Sequence, residues 1–242
     1  MKKILMTSLW VLSATPALAQ PALVPASFVG CPADGQTGPE AAPASAAIPQ
    51  LPPAAAQALA YYAGPDLGVL APRGWHCAET YGSDGNNLLV TPQPLTPGEL
   101  ISAPPYIATG PAVQTSISMG DTSGRFEVAE IADRIFPAAH AFVASVQAEN
   151  LAPADDFVST PYPSDRLTRH GDFETDFITP ANATGLGTRS LLAADQLPIS
   201  GFEMLVPDNP YDLVSFVARL PAGAEGLEDA IATAAKKSFP KQ

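Results

Sequence analysis

Proline sets the outer limits of this fold. Twenty-seven of the 242 residues are proline, and each one fixes φ at about −65° and removes a backbone donor. Beyond the N-terminus, proline or charge interrupts every apolar run, so no stretch reaches the ~20 apolar residues of a membrane-spanning helix. Apolar residues still make up 46% of the chain, and charged residues only 15%. That composition excludes a disordered polypeptide and points to short elements joined by turns. The length suits one domain with a full hydrophobic core.

Charge narrows the partners. There are 24 acidic residues against 12 basic ones, a formal net charge of -12. Such a field repels phosphate, which excludes a nucleic-acid binder and argues against anionic membranes and polyanionic glycans. A basic protein or a positively charged peptide suits it instead.

The first residues, Met1-Lys2-Lys3, an apolar run from Ile4 to Leu12 and a terminal Ala17-Leu18-Ala19, have the three parts of a secretory signal peptide. The expected cleavage point lies between Ala19 and Gln20, which makes the mature chain periplasmic or secreted. Loss of Lys2 and Lys3 leaves 10 basic and 24 acidic residues, so the mature charge becomes 10 − 24 = −14. A competing reading takes Phe28-Val29-Gly30-Cys31 as a lipobox with Cys31 as the lipid anchor. Its apolar run sits too far upstream, and Pro21 and Pro25 intervene. Only two cysteines are present, Cys31 and Cys77. In an oxidising compartment they are expected to form one disulfide, and no Cys-x-x-Cys spacing suggests a redox pair.

Residues 20–50 are expected to form an irregular linker or arm, because proline and alanine fill 19 of the 37 positions from Gln20 to Ala56. A globular domain from 51 to 242 follows. Its expected elements begin with a helix over 53–63 ended by Gly64-Pro65 and a strand over 66–72. A hairpin of 75–81 with 87–91 turns at Asp84-Gly85. Val113, Thr115, Ile117 and Met119 alternate with polar residues, which predicts a half-buried strand. Val128, Ile131 and Ile135 predict a helix broken at Pro137, resuming through Phe142 to Val146. Strands are expected over 170–177, 202–206 and 213–220, the last two joined at Asp208-Asn209-Pro210. A closing helix from about Glu225 carries acids at its start and Lys236 and Lys237 at its end, as the helix dipole favours. Grouped strands with short turns predict an α+β single domain, an antiparallel sheet with helices packed on one face.

Little in the chain carries chemistry. Gly82-Ser83-Asp84-Gly85 falls one residue short of a nucleophile elbow. Gly185-Leu186-Gly187 lacks the third glycine of a dinucleotide fingerprint, with Ser190 in its place. Asp84-Gly85-Asn86-Asn87 lacks the spaced acids of a calcium loop. No cofactor is expected. His76 and His140 have no partner by spacing. The most suggestive constellation is His170, Asp172, Glu174 and Asp176, which at intervals of two would share one strand face. Such a face could hold a divalent cation or meet a cationic partner. Neighbours on it stand nearly 7 Å apart, so one strand rarely wraps a metal unaided. A solvent face explains it as well.

Val69-Leu70-Ala71-Pro72-Arg73-Gly74-Trp75-His76-Cys77 with Tyr81-Gly82-Ser83, and Thr179-Pro180-Ala181-Asn182 with Gly185-Leu186-Gly187-Thr188, resemble segments of a group of exported bacterial proteins that carry no assigned function. The resemblance implies a bacterial envelope protein and nothing sharper. The resulting expectation is an exported, non-catalytic protein that binds a protein or small ligand. The alternative is a periplasmic hydrolase or metal-dependent enzyme using the His170, Asp172, Glu174 and Asp176 face.

Overall fold

The computed structural model describes residues 22–104, 106–207 and 210–239. The leader expected over 1–19, its cleavage point, and Asp208-Asn209 of the expected turn lie outside them. In chain order the elements begin with β1 (Val24–Pro25), β2 (Ser27–Gly30), β3 (Ala33–Gly35), β4 (Gln50–Leu51), α1 (Pro53–Ala58), β5 (Leu59–Ala63) and β6 (Gly68–Pro72). There follow β7 (His76–Tyr81), β8 (Gly85–Thr91), α2 (Pro97–Leu100), β9 (Ala112–Ser118), α3 (Arg125–Ile135) and α4 (His140–Ala148). The chain closes with β10 (Arg166–Arg169), β11 (Glu174–Thr179), β12 (Ile199–Val206), β13 (Asp212–Arg219) and α5 (Glu228–Ser238).

The fold is α+β. An eight-stranded sheet runs β10-β11-β12-β13-β9-β8-β7-β3, and every neighbouring pair in it is antiparallel except β3 with β7. Hairpins explain most of this order. In the β7–β8 hairpin Gly82 and Gly85 exchange backbone bonds across a loop of Ser83 and Asp84. Gly85 takes φ +139° there, and a Cβ on it would stand 1.8 Å from the Ile117 carbonyl oxygen. Only glycine fits.

Four expectations change. The expected helix over 53–63 stops at Ala58, and its second half is β5, paired with β6 and, in parallel, with β2. Sheet pairing overrides helix propensity at Tyr61 and Tyr62, both good strand formers. The Tyr62 hydroxyl donates to the Pro72 carbonyl and accepts from the Trp75 N–H, each at 2.8 Å. Second, the expected linker is part of the body. β2 and β3 each join a sheet, β1 pairs with β4, and Ala26, Cys31 and Ala33 are buried. Only the stretch between β3 and β4 is mostly exposed and irregular.

Third, helices cover both faces of the large sheet. Val128, Ile131 and Val143 of α3 and α4 share a core with Leu89, Leu205 and Val217. On the other face Ile231 and Ala235 of α5 pack with Phe202 and Phe216, joined there by Leu59 and Leu70 of the three-stranded β2-β5-β6 sheet. Fourth, β9 is therefore buried on both sides rather than half-buried. Its polar residues pair internally. Gln114 Nε2 donates to Asn87 Oδ1 at 2.7 Å, Gln114 Oε1 accepts the Leu191 N–H at 2.8 Å, and the Ser118 hydroxyl donates to Glu127 at 2.8 Å.

The expected disulfide joins Cys31 to Cys77. It occupies the sulfur that a lipid anchor on Cys31 would need, which removes the lipobox reading. Both cysteines lie in the α5-side core, against which Trp75 packs. No helix among the described residues is long and apolar enough to cross a membrane.

The bond closes a 46-residue separation, for which the chain-entropy model gives about 4 kcal/mol. Replacing both cysteines with serine should lower the denaturant-unfolding free energy by about that amount. Equilibrium urea unfolding of the two chains checks it, and an unchanged midpoint would show the N-terminal segment to be held by its strands alone.

Candidate functional site

The four acidic and histidine positions singled out in the sequence do not form one strand face. Residues 170–173 are the turn between β10 and β11, and the His170 N–H donates to the Glu174 carbonyl at 2.8 Å. His170 thus meets Asp176 across the hairpin, with Nε2 to Oδ2 at 2.8 Å. Asp172 lies exposed in the turn and takes no part. Glu174 and Asp176 face α5, where Lys236 Nζ reaches Glu174 Oε1 at 2.8 Å and Asp176 Oδ1 at 2.5 Å. Thr175 and Phe177 are buried on the opposite side of the sheet.

One ligand atom from each of His170, Glu174 and Asp176 lies within 4.8 Å of the others. That spacing would suit a cation, and Lys236 supplies one. Burial works against the lysine charge, but the bonds to Asp176 and Glu174 outweigh it and hold its pKa above the ordinary value. Its ammonium also stands 5.2 Å from the Phe202 ring centroid. The arrangement is an internally neutralised clamp that fastens α5 to the sheet.

Three charged side chains buried within strands matter more to the interior. Arg219, fully buried at the end of β13, donates to the carbonyls of Ala108 and Gly110 at 2.7 Å and of Ala193 at 2.5 Å. Glu79 on β7 accepts the N–H groups of Asp66 and Leu67. A Cβ on Gly64 would collide with this carboxylate at 1.7 Å. Burial pushes Glu79 up to about 7, although those two N–H bonds pull the other way. Glu203 on β12 is wholly enclosed beneath α3 and accepts from the Ser215 hydroxyl at 2.5 Å. Burial raises it to about 8, and the nearby charge of Glu127 adds to the rise. Glu127, Ser116 and Ser215 border a cavity of about 20 Å³ beside it. That is the size of one water molecule and too small for an organic substrate.

Ser159, Asp133 and His140 border a second cavity, of about 250 Å³. They are the residue types of nucleophilic hydrolysis in the wrong order. The Ser159 hydroxyl donates to the Asp133 carboxylate at 3.1 Å, whereas a base must stand between the two. The His140 ring is exposed and makes no hydrogen bond among the described residues, its backbone N–H alone donating to the Pro137 carbonyl. No activated serine results.

A groove of about 890 Å³ opens between α5 and the N-terminal segment. Leu23, Ile48, Leu51, Tyr61, Ala230 and Ala234 give it apolar walls, and Asp229 and Lys237 stand among the residues that line it. Leu23 at its rim is 58% exposed. Alanines on α5 leave the room. Sequence reasoning missed this groove because one wall of it, Leu23 with residues 47–50, belongs to the segment read as a linker. A lone charge inside an apolar run, as at Glu203 and Arg219, was the available signal for the buried polar groups.

No known family model, curated protein or solved structure matches the chain.

The two raised carboxyls set a pH dependence. A carboxyl whose folded pKa lies above its unfolded value stabilises the fold below the unfolded pKa and loses that contribution as pH rises through the folded one. Stability should therefore fall from pH 5 to pH 9, through about 7 for Glu79 and about 8 for Glu203. Glu203→Gln, which keeps an acceptor for Ser215, should flatten the alkaline half of this profile. Melting temperatures at pH 5, 7 and 9 for both chains check it; parallel curves would refute the assignment to Glu203.

Proposed function

We propose that this chain is an exported, non-catalytic protein of the bacterial cell envelope that binds an apolar ligand in the groove between α5 and the N-terminal segment. The groove carries the reading. Its volume falls within the roughly 300–1,000 Å³ typical of small-molecule sites, and its walls have the expected apolar character with a few polar groups. The other clusters of reactive side chains speak against catalysis at those places. One is neutralised by Lys236, one is sealed around Glu203, and one lacks a base bonded to its serine.

Export is supported by the leader pattern of residues 1–19 and by the disulfide, which suits an oxidising compartment. The full chain expressed in a bacterial host should yield periplasmic protein whose intact mass begins at Gln20 and is two hydrogens short of the reduced form. An unprocessed or reduced chain would refute export.

The groove is tested with the apolar fluorophore 1-anilinonaphthalene-8-sulfonate. Thr233→Trp places an indole in the groove from an exposed position of α5, away from the buried Ile231 and Ala235. The native chain should bind the probe at a single saturable site, and the variant should lose that site while melting at the same temperature. Equal probe binding by the two chains would sink the proposal.

A further inference from the structure

β10 ends the eight-stranded sheet, so no strand among the described residues lies beside its outer side. The bond from the His170 N–H to the Glu174 carbonyl fixes the phase of the β10–β11 ladder. Bonded pairs alternate along an antiparallel ladder, so Thr168 with Asp176 and Arg166 with Ile178 are the next two. The backbone N–H and C=O of Leu167 and Arg169 therefore point outward, and they have no hydrogen-bond partner among the described residues. This is an open edge of the kind that accepts a further strand.

The charges beside it are distinctive. Nine lysines and arginines fall among the described residues. Six are bonded to carboxylates or carbonyls: Arg73, Arg125, Arg134, Arg189, Arg219 and Lys236. Arg166 and Arg169, both exposed on β10, are bonded to neither. Of the neighbouring carboxylates, Asp165 and Asp176 are already engaged, while Asp172 stands exposed in the turn after Arg169. Asp165 accepts from Thr179 and from the Leu186 N–H, and Asp176 is held by His170 and Lys236. Arg166 opposes Ile178 and stands on the α5 face, whereas Arg169 opposes Thr175 and stands on the α3–α4 face. On a chain of net charge -12, these two arginines, unpaired among the described residues, flank the open edge, one above and one below.

We infer that β10 is a docking edge for an extended acidic segment of a partner protein, with two carboxylates three residues apart. In a strand added at this edge, residues opposite Arg166 and Arg169 are three apart and project to opposite faces. Each would meet one guanidinium, while the backbone groups of Leu167 and Arg169 would bond the added strand. The inference is independent of the groove. Edge arginines can also serve to repel other strands, and the experiment must separate the two roles.

The probe is a fluorescein-labelled ten-residue peptide rich in valine and threonine, with two glutamates three apart; a second peptide carries them two apart, on one face. Binding to the full disulfide-bonded chain is followed by fluorescence anisotropy, together with amide exchange at Leu167 and Arg169. The first peptide should bind, weaken as salt rises and protect both amides. The second peptide, and the Arg166→Glu plus Arg169→Glu variant at unchanged melting temperature, should each bind on the order of tenfold more weakly. Equal affinity for both peptides, indifference to charge reversal, or no binding by the native chain would overturn the inference. Failure to bind together with self-association of an Arg166→Thr plus Arg169→Thr variant would also overturn it, and would make the arginines a guard against edge pairing.

Discussion

A sheet covered on both faces cannot leave a polar group without a partner, and this constraint governs most of the interior. β9 and β13 lie at the centre of the large sheet, with α3 and α4 on one side and α5 with the smaller sheet on the other. An unmade bond there costs about 1–3 kcal/mol. Every buried polar side chain on these strands must be answered locally. Asn87 and Leu191 answer Gln114, Glu127 answers Ser118, and three loop carbonyls answer Arg219. Those loops have no regular structure of their own. Arg219 holds the 108–110 and 193 segments at the end of the sheet, so a single guanidinium stands in for a layer of secondary structure. Among the described residues, Ser27 Oγ and Arg134 Nε are the buried side-chain polar atoms left without partners.

Protonation completes the same scheme. Glu79 and Glu203 sit on strands where solvent does not reach, and each receives too few bonds to repay the loss of water around a carboxylate. Below about pH 7 for Glu79 and about pH 8 for Glu203 the interior holds them as neutral acids. Their positions differ in consequence. Glu79 fixes the loop between β5 and β6 through two backbone N–H groups, whereas Glu203 lies beneath α3 and touches only the seam between that helix and the sheet. A group enclosed in this way stabilises the fold and does not act on a substrate. Enclosure of this kind accounts for both raised pKa values without a substrate, although such values often accompany active sites.

How far the fold was legible follows from the range of each interaction. Elements set by neighbours in the chain could be read: the β7–β8 hairpin, the alternation of β9, the helix break at Pro137, and the charged ends of α5. The parallel pairings of β2 with β5 and β3 with β7 could not, because short segments between prolines show no period from which pairing follows. The same limit applied to the candidate site. His170, Glu174 and Asp176 were visible as a group, but the residue that decides their role, Lys236, lies 60 positions from Asp176. Its sequence context spoke only of a helix dipole. Periodicity also misled at His170, where a strand-like pattern runs through a turn; four residues of alternation suit a hairpin bend as well as a strand.

The proposed groove and the proposed docking edge both depend on α5. Ala230, Ala234 and Lys237 line the groove, while Lys236, between them in the chain, bonds Glu174 and Asp176 of β11. β11 in turn pairs along its length with β10. An eleven-residue helix thus forms a wall of one surface and braces the strand beneath the other. Its own seat is firm, since Ile231, Ala235 and Phe239 are buried in the core on the sheet side. Adjacent lysines have separate duties for a simple geometric reason. Successive residues on a helix point about 100° apart, so one of the pair turns to the sheet and the other to the groove. Exchanging their environments would require α5 to rotate against three buried apolar anchors. The groove and the open edge therefore owe their relative placement to one packed helix and not to any contact between them.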